Sequence, residues 1–302
     1  MKQAMREGAR RPGVVGVDYG FVYKDGQRLA RHGIRFHVRQ KLPVASMPNE
    51  YVLPRALSRW RCDVLEARYA LSAESPRGAC DPLLAGVSVG NVERKWTGTL
   101  GLFVTDTRTT KPALLSNWHV LCGAPDVSVG EEVSQPGPMH AGTAAARVVG
   151  RLERWLNLDT GYDAAIAVLN PGSAWQEQPF DEAFAISSIG DAVVGMKLEK
   201  FGAVSGLTHG YVDGIGGSYQ VDYSEYGDSV RWMEGMRIVL DPDAKDPDVS
   251  LPGDSGAIWV NPATGRAVGL HFAGEEGSGP LADYALAHPL SKAMSLLDLA
   301  MP

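Results

Sequence analysis

The residues best suited to chemistry in this chain surround a serine that stands between two glycines, in the segment Leu251–Ala257 with the sequence LPGDSGA. A serine hydroxyl is a weak nucleophile, so it needs an adjacent base and hydrogen-bond donors aimed at the oxyanion that forms on an attacked carbonyl. A glycine two residues before Ser255 lets the backbone turn until the amides of Gly253 and Ser255 point to one spot. The segment therefore indicates a nucleophile with an oxyanion hole, although ordinary turns use the same residue types.

A base and an orienting acid for this serine precede it in the chain. The apolar segment Ala113–Leu121 (ALLSNWHVL) contains His119, and Asp163 opens the run Ala164–Leu169, which predicts a buried strand. A serine nucleophile requires such a histidine, with a carboxylate behind it that fixes the imidazole tautomer. Taken singly, His119 also fits a structural histidine and Asp163 a turn residue. Their order along the chain favours a His-Asp-Ser triad.

These blocks resemble those of the chymotrypsin-like serine peptidases, in that family's order and near its spacing, over about residues 90–300. The resemblance implies a double β-barrel with the site in the crevice between the barrels. It implies that His119 is the general base, Asp163 its orienter and Ser255 the nucleophile, with the Gly253 and Ser255 amides as the oxyanion hole. The implied activity is that of a serine endopeptidase acting on protein or peptide substrates through an acyl-enzyme, without a cofactor.

A narrower resemblance includes the N-terminal part of the chain. Five segments look like those of the Narrow-Leaf-type trypsin-like peptidases: Gly16–Gly20, Ile34–Pro43, Cys62–Glu66, Leu115–Val120 and Gly269–Gly274. Membership in that subgroup is therefore a second, finer expectation.

Substrate preference is predicted from two places around the nucleophile. In the resembled family the residue six positions before the nucleophile lies near the floor of the specificity pocket, and here it is the uncharged Val249, which does not favour Lys or Arg. The segment Gly269–Gly274 (GLHFAG) resembles that of glutamyl endopeptidases and picornaviral main proteases, in which a histidine meets a Glu or Gln side chain. The candidate substrate-binding residues are accordingly Val249, His271 and Gly274. An imidazole N–H such as that of His271 can donate to a carboxylate or an amide oxygen. A structural role for His271 within the barrel stays an equal alternative.

Patterning along the chain predicts a mostly β protein. From Gly98 onward, short β-rich runs are separated by Gly, Pro and Asp, which is typical of barrels or sandwiches. We expect two β-barrels, at about 91–185 and 186–288, and a C-terminal helix over 289–300 with Pro289 at its first position.

The N-terminal part predicts a separate small unit. Residues 1–70 are expected to form a small α+β domain with strands at Val14–Tyr23, Ile34–Gln40 and Cys62–Tyr69, and a turn at Lys24–Gly26. The small, polar and proline-containing residues that follow indicate a linker over 71–90.

The three cysteines, Cys62, Cys80 and Cys122, are few and odd in number. They fit a reducing compartment, argue against a disulfide framework, and lack zinc-site spacing. The N-terminal residues contain no hydrophobic core of a signal peptide, and no apolar run is long enough for a transmembrane helix. We therefore expect a cytoplasmic, metal-independent enzyme with no membrane association.

Charge is distributed unevenly along the chain, and more than one role is open for the basic N-terminal segment. Residues 1–70 carry 14 Lys/Arg and 6 Asp/Glu, whereas the remaining residues carry 15 and 29. A basic segment can bind nucleic acid, but docking on its own acidic neighbour or facing water is the simpler interpretation. A pseudo-peptidase that binds peptides through the same cleft, or a dormant protease that awaits an activating protein partner, is the alternative to an active enzyme.

Overall fold

The structure is a computed structural model. It describes residues 10–24, 27–38, 41, 48, 52–57, 60–66, 75–141, 146–181, 185–244, 246–274 and 284–302. The chain divides into two compact units, Met1–Ala73 and Glu74–Pro302.

The first unit contains a four-stranded sheet. Its strands are β1 (Val14–Lys24), β2 (Gln27–Val38), β3 (Ala56–Leu57) and β4 (Trp60–Glu66), in the order β1-β2-β4-β3. Strand β2 runs parallel to β4, and the other pairs are antiparallel. No helix occurs among the described residues of this unit, so only the β part of the expected α+β domain is visible there.

Strand β2 begins at Gln27, well before the predicted Ile34. The sequence predicts that residues 27–33 connect the strands Val14–Tyr23 and Ile34–Gln40. Cross-strand packing extends the strand instead: the His32 ring lies 4.4 Å from the Phe21 ring, and the Arg28 guanidinium lies 4.7 Å above the same ring. The predicted turn residues Asp25 and Gly26 lie outside the described residues.

The second unit contains two large sheets. The first has eight strands in the order β21-β8-β9-β12-β11-β10-β6-β7, and a short parallel pair joins β5 to β13. The eight strands of the sheet are β6 (Ser88–Asn91), β7 (Gly98–Thr99), β8 (Leu102–Asp106), β9 (Lys111–Ser116), β10 (Glu132–Gln135), β11 (Arg147–Trp155), β12 (Ala165–Leu169) and β21 (Leu299–Ala300). The separate pair consists of β5 (Leu83–Ala85) and β13 (Trp175–Pro179).

The second sheet closes on itself. Its order is β14-β19-β18-β15-β16-β17-β20, and β19 also pairs with β20, so six strands form a closed barrel with β14 attached outside it. The strands are β14 (Ser188–Ile189), β15 (Lys197–Gly202), β16 (Gly206–Asp222), β17 (Val230–Leu240), β18 (Ile258–Asn261), β19 (Arg266–Gly274) and β20 (Tyr284–Pro289). Closure pairs every strand edge of the barrel.

The predicted linker over 71–90 is wrong for its second half. Residues 83–90 contain β5 and the start of β6, and Leu83, Val87 and Val89 are fully buried in the core of the second unit. Apolar residues at alternate positions, hidden among Gly, Pro and Ser, explain the error.

The predicted C-terminal helix is present but shorter than expected. It spans Leu290–Leu296, after which the chain turns and β21 pairs with β8 of the first sheet. Leu290, Met294 and Leu297 pack in one buried cluster with residues of both sheets. Pairing with the edge of the first sheet takes the last residues away from the helix. Within the described part of the chain, no helix has the length and apolarity needed to cross a membrane.

Candidate active site

His119 is presented by a single helical turn that follows β9. Helix α1 (Trp118–Leu121) begins after Asn117 and closes with the Cys122 amide donating to the Trp118 carbonyl at 2.7 Å. All four helical residues are buried, and His119 retains 9% exposure. The turn therefore holds the imidazole at the end of a buried strand, as the sequence predicted.

Asp163 lies two residues before the start of β12 and contacts His119 twice. The backbone amide of His119 donates to Asp163 Oδ1 at 3.2 Å, and Nδ1 of its ring lies 2.5 Å from Oδ2. The Tyr223 hydroxyl donates to the same Oδ2 at 2.8 Å. Because the carboxylate accepts from Nδ1, the hydrogen of a neutral imidazole belongs on Nδ1 and the lone pair on Nε2.

The charge of Asp163 is maintained although its side chain is fully buried. Burial alone raises the pKa of a carboxyl group, but the charge and hydrogen bonds of His119, with smaller contributions from His288 and Tyr223, hold the pKa of Asp163 below its usual value. An ionised Asp163 can therefore stabilise a proton on His119.

The backbone of Asp163 is also held. Its amide donates to His288 Nε2 at 2.9 Å, and its carbonyl accepts from Asn117 Nδ2 at 2.7 Å. His288 Nδ1 in turn donates to the Glu234 carbonyl at 2.5 Å, and the ring stacks on Phe272 at 3.9 Å. Burial lowers the pKa of His288 to about 4, so this imidazole is neutral and can accept the Asp163 hydrogen bond.

The loop Leu251–Ala257, called the nucleophile loop after its predicted nucleophile Ser255, needs its glycines. Gly253 and Gly256 have φ values of 100° and 97°, in the left-handed region that side chains rarely adopt. A Cβ on Gly256 would lie 2.1 Å from the Thr99 carbonyl oxygen. The Thr99 amide and hydroxyl donate to the carbonyls of Ser255 and Gly253, at 2.7 and 2.9 Å. Neither the Gly253 amide nor the Ser255 amide donates to any described residue, which leaves both available to an oxyanion.

A fully buried ion pair anchors this loop. Asp254 Oδ2 lies 2.8 Å from Lys200 Nζ, and both side chains are fully buried. Oδ1 accepts from the Ser205 amide at 3.0 Å, and Oδ2 accepts from the Leu251 amide at 2.9 Å. Burial opposes ionisation, but Lys200 and these donors lower the pKa of Asp254 to about 2.

One cavity of about 360 Å³ joins most of the predicted site residues. His119, Ser255, Gly253, His271 and Gly274 all line it. Asp163 is not part of the lining because it lies behind His119. The remaining walls come from Thr97, from Ser250 and the nucleophile loop, from the end of β19 and from the tip of the β16–β17 hairpin.

The two predicted specificity residues have different environments. His271 is 3% exposed and lines the cavity, and its Nδ1 is buried with no hydrogen-bond partner among the described residues. Burial, together with the Lys200 ammonium, lowers the pKa of His271 to about 3, so the ring is neutral. Val249 is fully buried in a core cluster with Trp259 and does not line the cavity.

Three supporting residues were missed by the sequence analysis. Tyr223 and His288 reach Asp163 across 60 and 125 residues, and no local pattern announces either contact. Lys200 did carry a signal, because it occupies an inward position of β15 in alternation with the buried Leu198. Among the described residues, no group of three His, Cys, Asp or Glu side chains could hold a metal ion.

No protein-family model and no curated protein matches this chain. Solved structures do. A glutamic acid specific serine protease, whose described histidine triad acts in substrate binding, is 22% identical with a TM-score of 0.52, covering 73% of this chain and 100% of that one. The chain has the chymotrypsin-like double-barrel fold.

Two further solved protease structures are similar to this chain. The Nocardiopsis protease NAPase is 16% identical with a TM-score of 0.51, covering 72% of this chain and 96% of that one. Cellulomonas bogoriensis chymotrypsin is 17% identical with a TM-score of 0.51, covering 72% and 97%. The prediction of a mostly β double barrel is confirmed. In this double-barrel fold, the cavity described above lies where His119, Ser255 and the β19 strand end meet.

Proposed function

We propose that the chain is a serine endopeptidase in which His119, Asp163 and Ser255 form the catalytic triad. The observation that carries this proposal is the buried His119–Asp163 pair. His119 and Ser255 line the same cavity. Two unengaged amides of the nucleophile loop stand beside it. This combination supplies a nucleophile, a base, an orienter and an oxyanion site.

In the first half of the reaction, Ser255 Oγ attacks the carbonyl carbon of the scissile peptide bond. The hydroxyl proton passes to His119 Nε2, and the ionised Asp163 stabilises the resulting imidazolium. The negative charge that develops on the carbonyl oxygen accepts hydrogen bonds from the Gly253 and Ser255 amides. His119 then gives its proton to the leaving amine as the C–N bond breaks, which leaves an acyl-enzyme.

In the second half, water replaces the amine. His119 takes a proton from water as the water oxygen attacks the ester carbonyl, and the same amides hold the second oxyanion. The proton then returns to Ser255 Oγ as the C–O bond breaks. The acid product leaves and the enzyme is regenerated without any external cofactor.

Incubation with a defined mixture of peptides, followed by mass spectrometry, tests this function. Internal cleavage is expected from the wild-type chain, and Ser255→Ala and His119→Ala are expected to lower the rate by about 10⁴-fold or more. Ser224→Ala is the matched control, because Ser224 is an exposed serine outside the cavity. Cleavage that survives Ser255→Ala would contradict the triad, and a well-folded chain with no cleavage would fit a peptide-binding protein.

For substrate preference, we propose Glu or Gln before the scissile bond, recognised by His271. The His271 imidazole lines the cavity close to the nucleophile loop. A neutral imidazole can donate one hydrogen bond to a side-chain oxygen. The similar solved structure that is described as glutamic acid specific supports the same assignment.

Cleavage-site profiling tests this preference. Glu or Gln should dominate before the cut, and His271→Ala should lower kcat/KM for those peptides by about 10-fold or more, with a smaller effect on others. His209→Ala serves as the control, because His209 bonds Asp246 outside the cavity. A preference for bulky apolar residues before the cut that does not change in His271→Ala would contradict this assignment. Membership in the Narrow-Leaf-type subgroup and a cytoplasmic location stay predictions.

A further inference from the structure

The β16–β17 hairpin holds Asp163 from two directions. At its tip, the Tyr223 hydroxyl donates to the Asp163 carboxylate at 2.8 Å. On its second strand, the Glu234 carbonyl fixes the tautomer of His288, which accepts the Asp163 amide hydrogen at 2.9 Å. A single hairpin therefore sets both the side chain and the backbone of this residue.

Of the two contacts from the hairpin, the one made by Tyr223 acts on the Asp163 carboxylate itself. Both other donors to these oxygens, the amide and Nδ1, belong to His119. Within the described part of the chain, Tyr223 is thus the only donor to this carboxylate from outside His119. Without it, the carboxylate would be positioned solely by the group that it has to position.

The environment of Tyr223 suits a permanent donor. Its side chain is 2% exposed and packs edge-on to Trp118, with ring centroids 6.2 Å apart. Burial, together with the Asp163 charge, raises the pKa of the Tyr223 hydroxyl far above its usual value, so it remains protonated and donates at every pH of interest.

We propose that Tyr223 is a positioning residue for the reaction, fixing the Asp163 carboxylate, and through it the His119 imidazole, from the hairpin tip. This rests on the proposed peptidase function and adds a group outside the triad. The hairpin tip also forms a wall of the cavity, where the Tyr226 ring lies 5.4 Å from the His119 ring. The same element therefore contacts the substrate space and holds the acid behind the base.

Tyr223→Phe tests the proposal because it removes one oxygen and keeps the ring. The second-order rate of Ser255 labelling by a fluorophosphonate, in which Ser255 Oγ displaces fluoride, is measured against pH. We expect a fall of about tenfold or more, since hydrogen bonds to charged groups are among the strong ones. The midpoint of the acidic limb should move to higher pH, because a carboxylate with one donor fewer holds the proton on His119 more firmly.

Tyr162→Phe is the matched control. It also removes a buried tyrosine hydroxyl bonded to the hairpin, at 3.2 Å from Glu234 Oε2, but it leaves the Asp163 carboxylate untouched. We expect its labelling rate to stay within about twofold of wild type, with an unchanged midpoint. Equal losses in both variants without a shift of the midpoint would mean that Tyr223 is merely structural, and would overturn the proposal.

Should Tyr223→Phe fail to fold, 3,5-difluorotyrosine incorporated at position 223 gives a second measurement. The more acidic phenol is a stronger donor, so the midpoint should move to lower pH, and an unchanged midpoint would overturn the proposal. Wild-type chain that does not label at Ser255 would overturn the peptidase function as well. Normal labelling with the wild-type rate and midpoint in Tyr223→Phe would overturn the positioning role alone.

Discussion

Asp254, in the nucleophile loop, is bound by a permanent cation, whereas Asp163, behind His119, is bound by donors that are neutral when His119 is neutral. Both carboxylates are fully buried. Asp254 lies 2.8 Å from the Lys200 ammonium. Asp163 instead accepts hydrogen bonds from His119 and Tyr223.

The difference follows from what each acid has to do. Asp254 needs a fixed counter-charge, since its task is to hold the loop that carries Ser255 and its unengaged amide. In the proposed reaction, Asp163 has to stabilise a proton that appears on His119 and leaves again within one turnover. A permanent ammonium beside Asp163 would already compensate its charge and would weaken its attraction for the imidazolium. A permanent charge therefore suits the static anchor, and neutral donors suit the acid that works with the base.

The largest effect is expected from removing the cation of the static anchor. Lys200→Met leaves Asp254 charged, buried and unpaired, and should lower the free energy of unfolding by about 3–5 kcal/mol. Fluorophosphonate labelling of Ser255 should fall with it, because the loop loses its anchor. Urea unfolding followed by circular dichroism measures the stability, and intact mass measures the labelling.

A double variant sharpens this test. Lys200→Met combined with Asp254→Asn removes both charges, so it should regain a substantial part of the stability lost in the single variant. Equal losses in the single and double variants would mean that packing around Lys200, and not its charge, holds the loop.

The next largest effect is a loss of folding stability in acid, caused by the two neutral buried histidines His271 and His288. Their folded-state pKa values of about 3 and about 4 lie below the unfolded value of about 6.5, so the unfolded chain binds more protons between those limits. Stability is thus present above about pH 6.5 and lost as the pH falls, by about 2–3 kcal/mol per histidine at about pH 4.5. The lowered pKa values of Asp163 and Asp254 act at still lower pH.

His288→Gln isolates the part of this acid-induced loss of stability that comes from His288, the histidine bonded to the Asp163 backbone. The amide can still accept from Asp163 and donate to Glu234, but it does not titrate. Its loss of stability between pH 7 and about 4.5, measured by urea unfolding, should be smaller than that of wild type by about 2–3 kcal/mol. An identical loss in both proteins would show that His288 does not resist protonation in the folded state.

The smallest effect is expected from Arg231, which forms two partly exposed ion pairs. Arg231 on β17 bonds Asp159, just before the Asp163 segment, and Asp228 near the hairpin tip. Arg231→Ala should cost about 1 kcal/mol or less, because partly exposed ion pairs contribute little, and should leave the labelling rate unchanged. A loss of labelling as large as that expected for Tyr223→Phe would show that surface charge, and not the buried contacts, positions Asp163.

The sequence predicts the residues whose chemistry is written in a few adjacent letters. LPGDSGA identifies Ser255 and its glycines, and apolar runs place His119 and Asp163 at strand ends. Residues that act through tertiary contacts escape such reasoning. Tyr223 and His288 reach Asp163 only after the second barrel has formed, and a lone tyrosine or histidine in a strand or loop has many structural uses.

The fold shows the same limit. Alternation and turn residues predict many short strands, and the double barrel is confirmed. Small or polar residues mislead where tertiary packing decides, as in residues 27–33 of β2 and the buried stretch 83–90. Pairing of β21 with β8, which shortens the C-terminal helix, depends on a partner strand almost 200 residues away and has no local signal.

The most direct test of the proposed triad is intact-mass analysis after fluorophosphonate treatment of wild type, Ser255→Ala and His119→Ala. We expect a single adduct on wild type, mapped to Ser255 by peptide sequencing and absent from both variants, because the nucleophile needs its base. Absence of the adduct on well-folded wild type, or an adduct that persists in Ser255→Ala, would contradict an assembled triad.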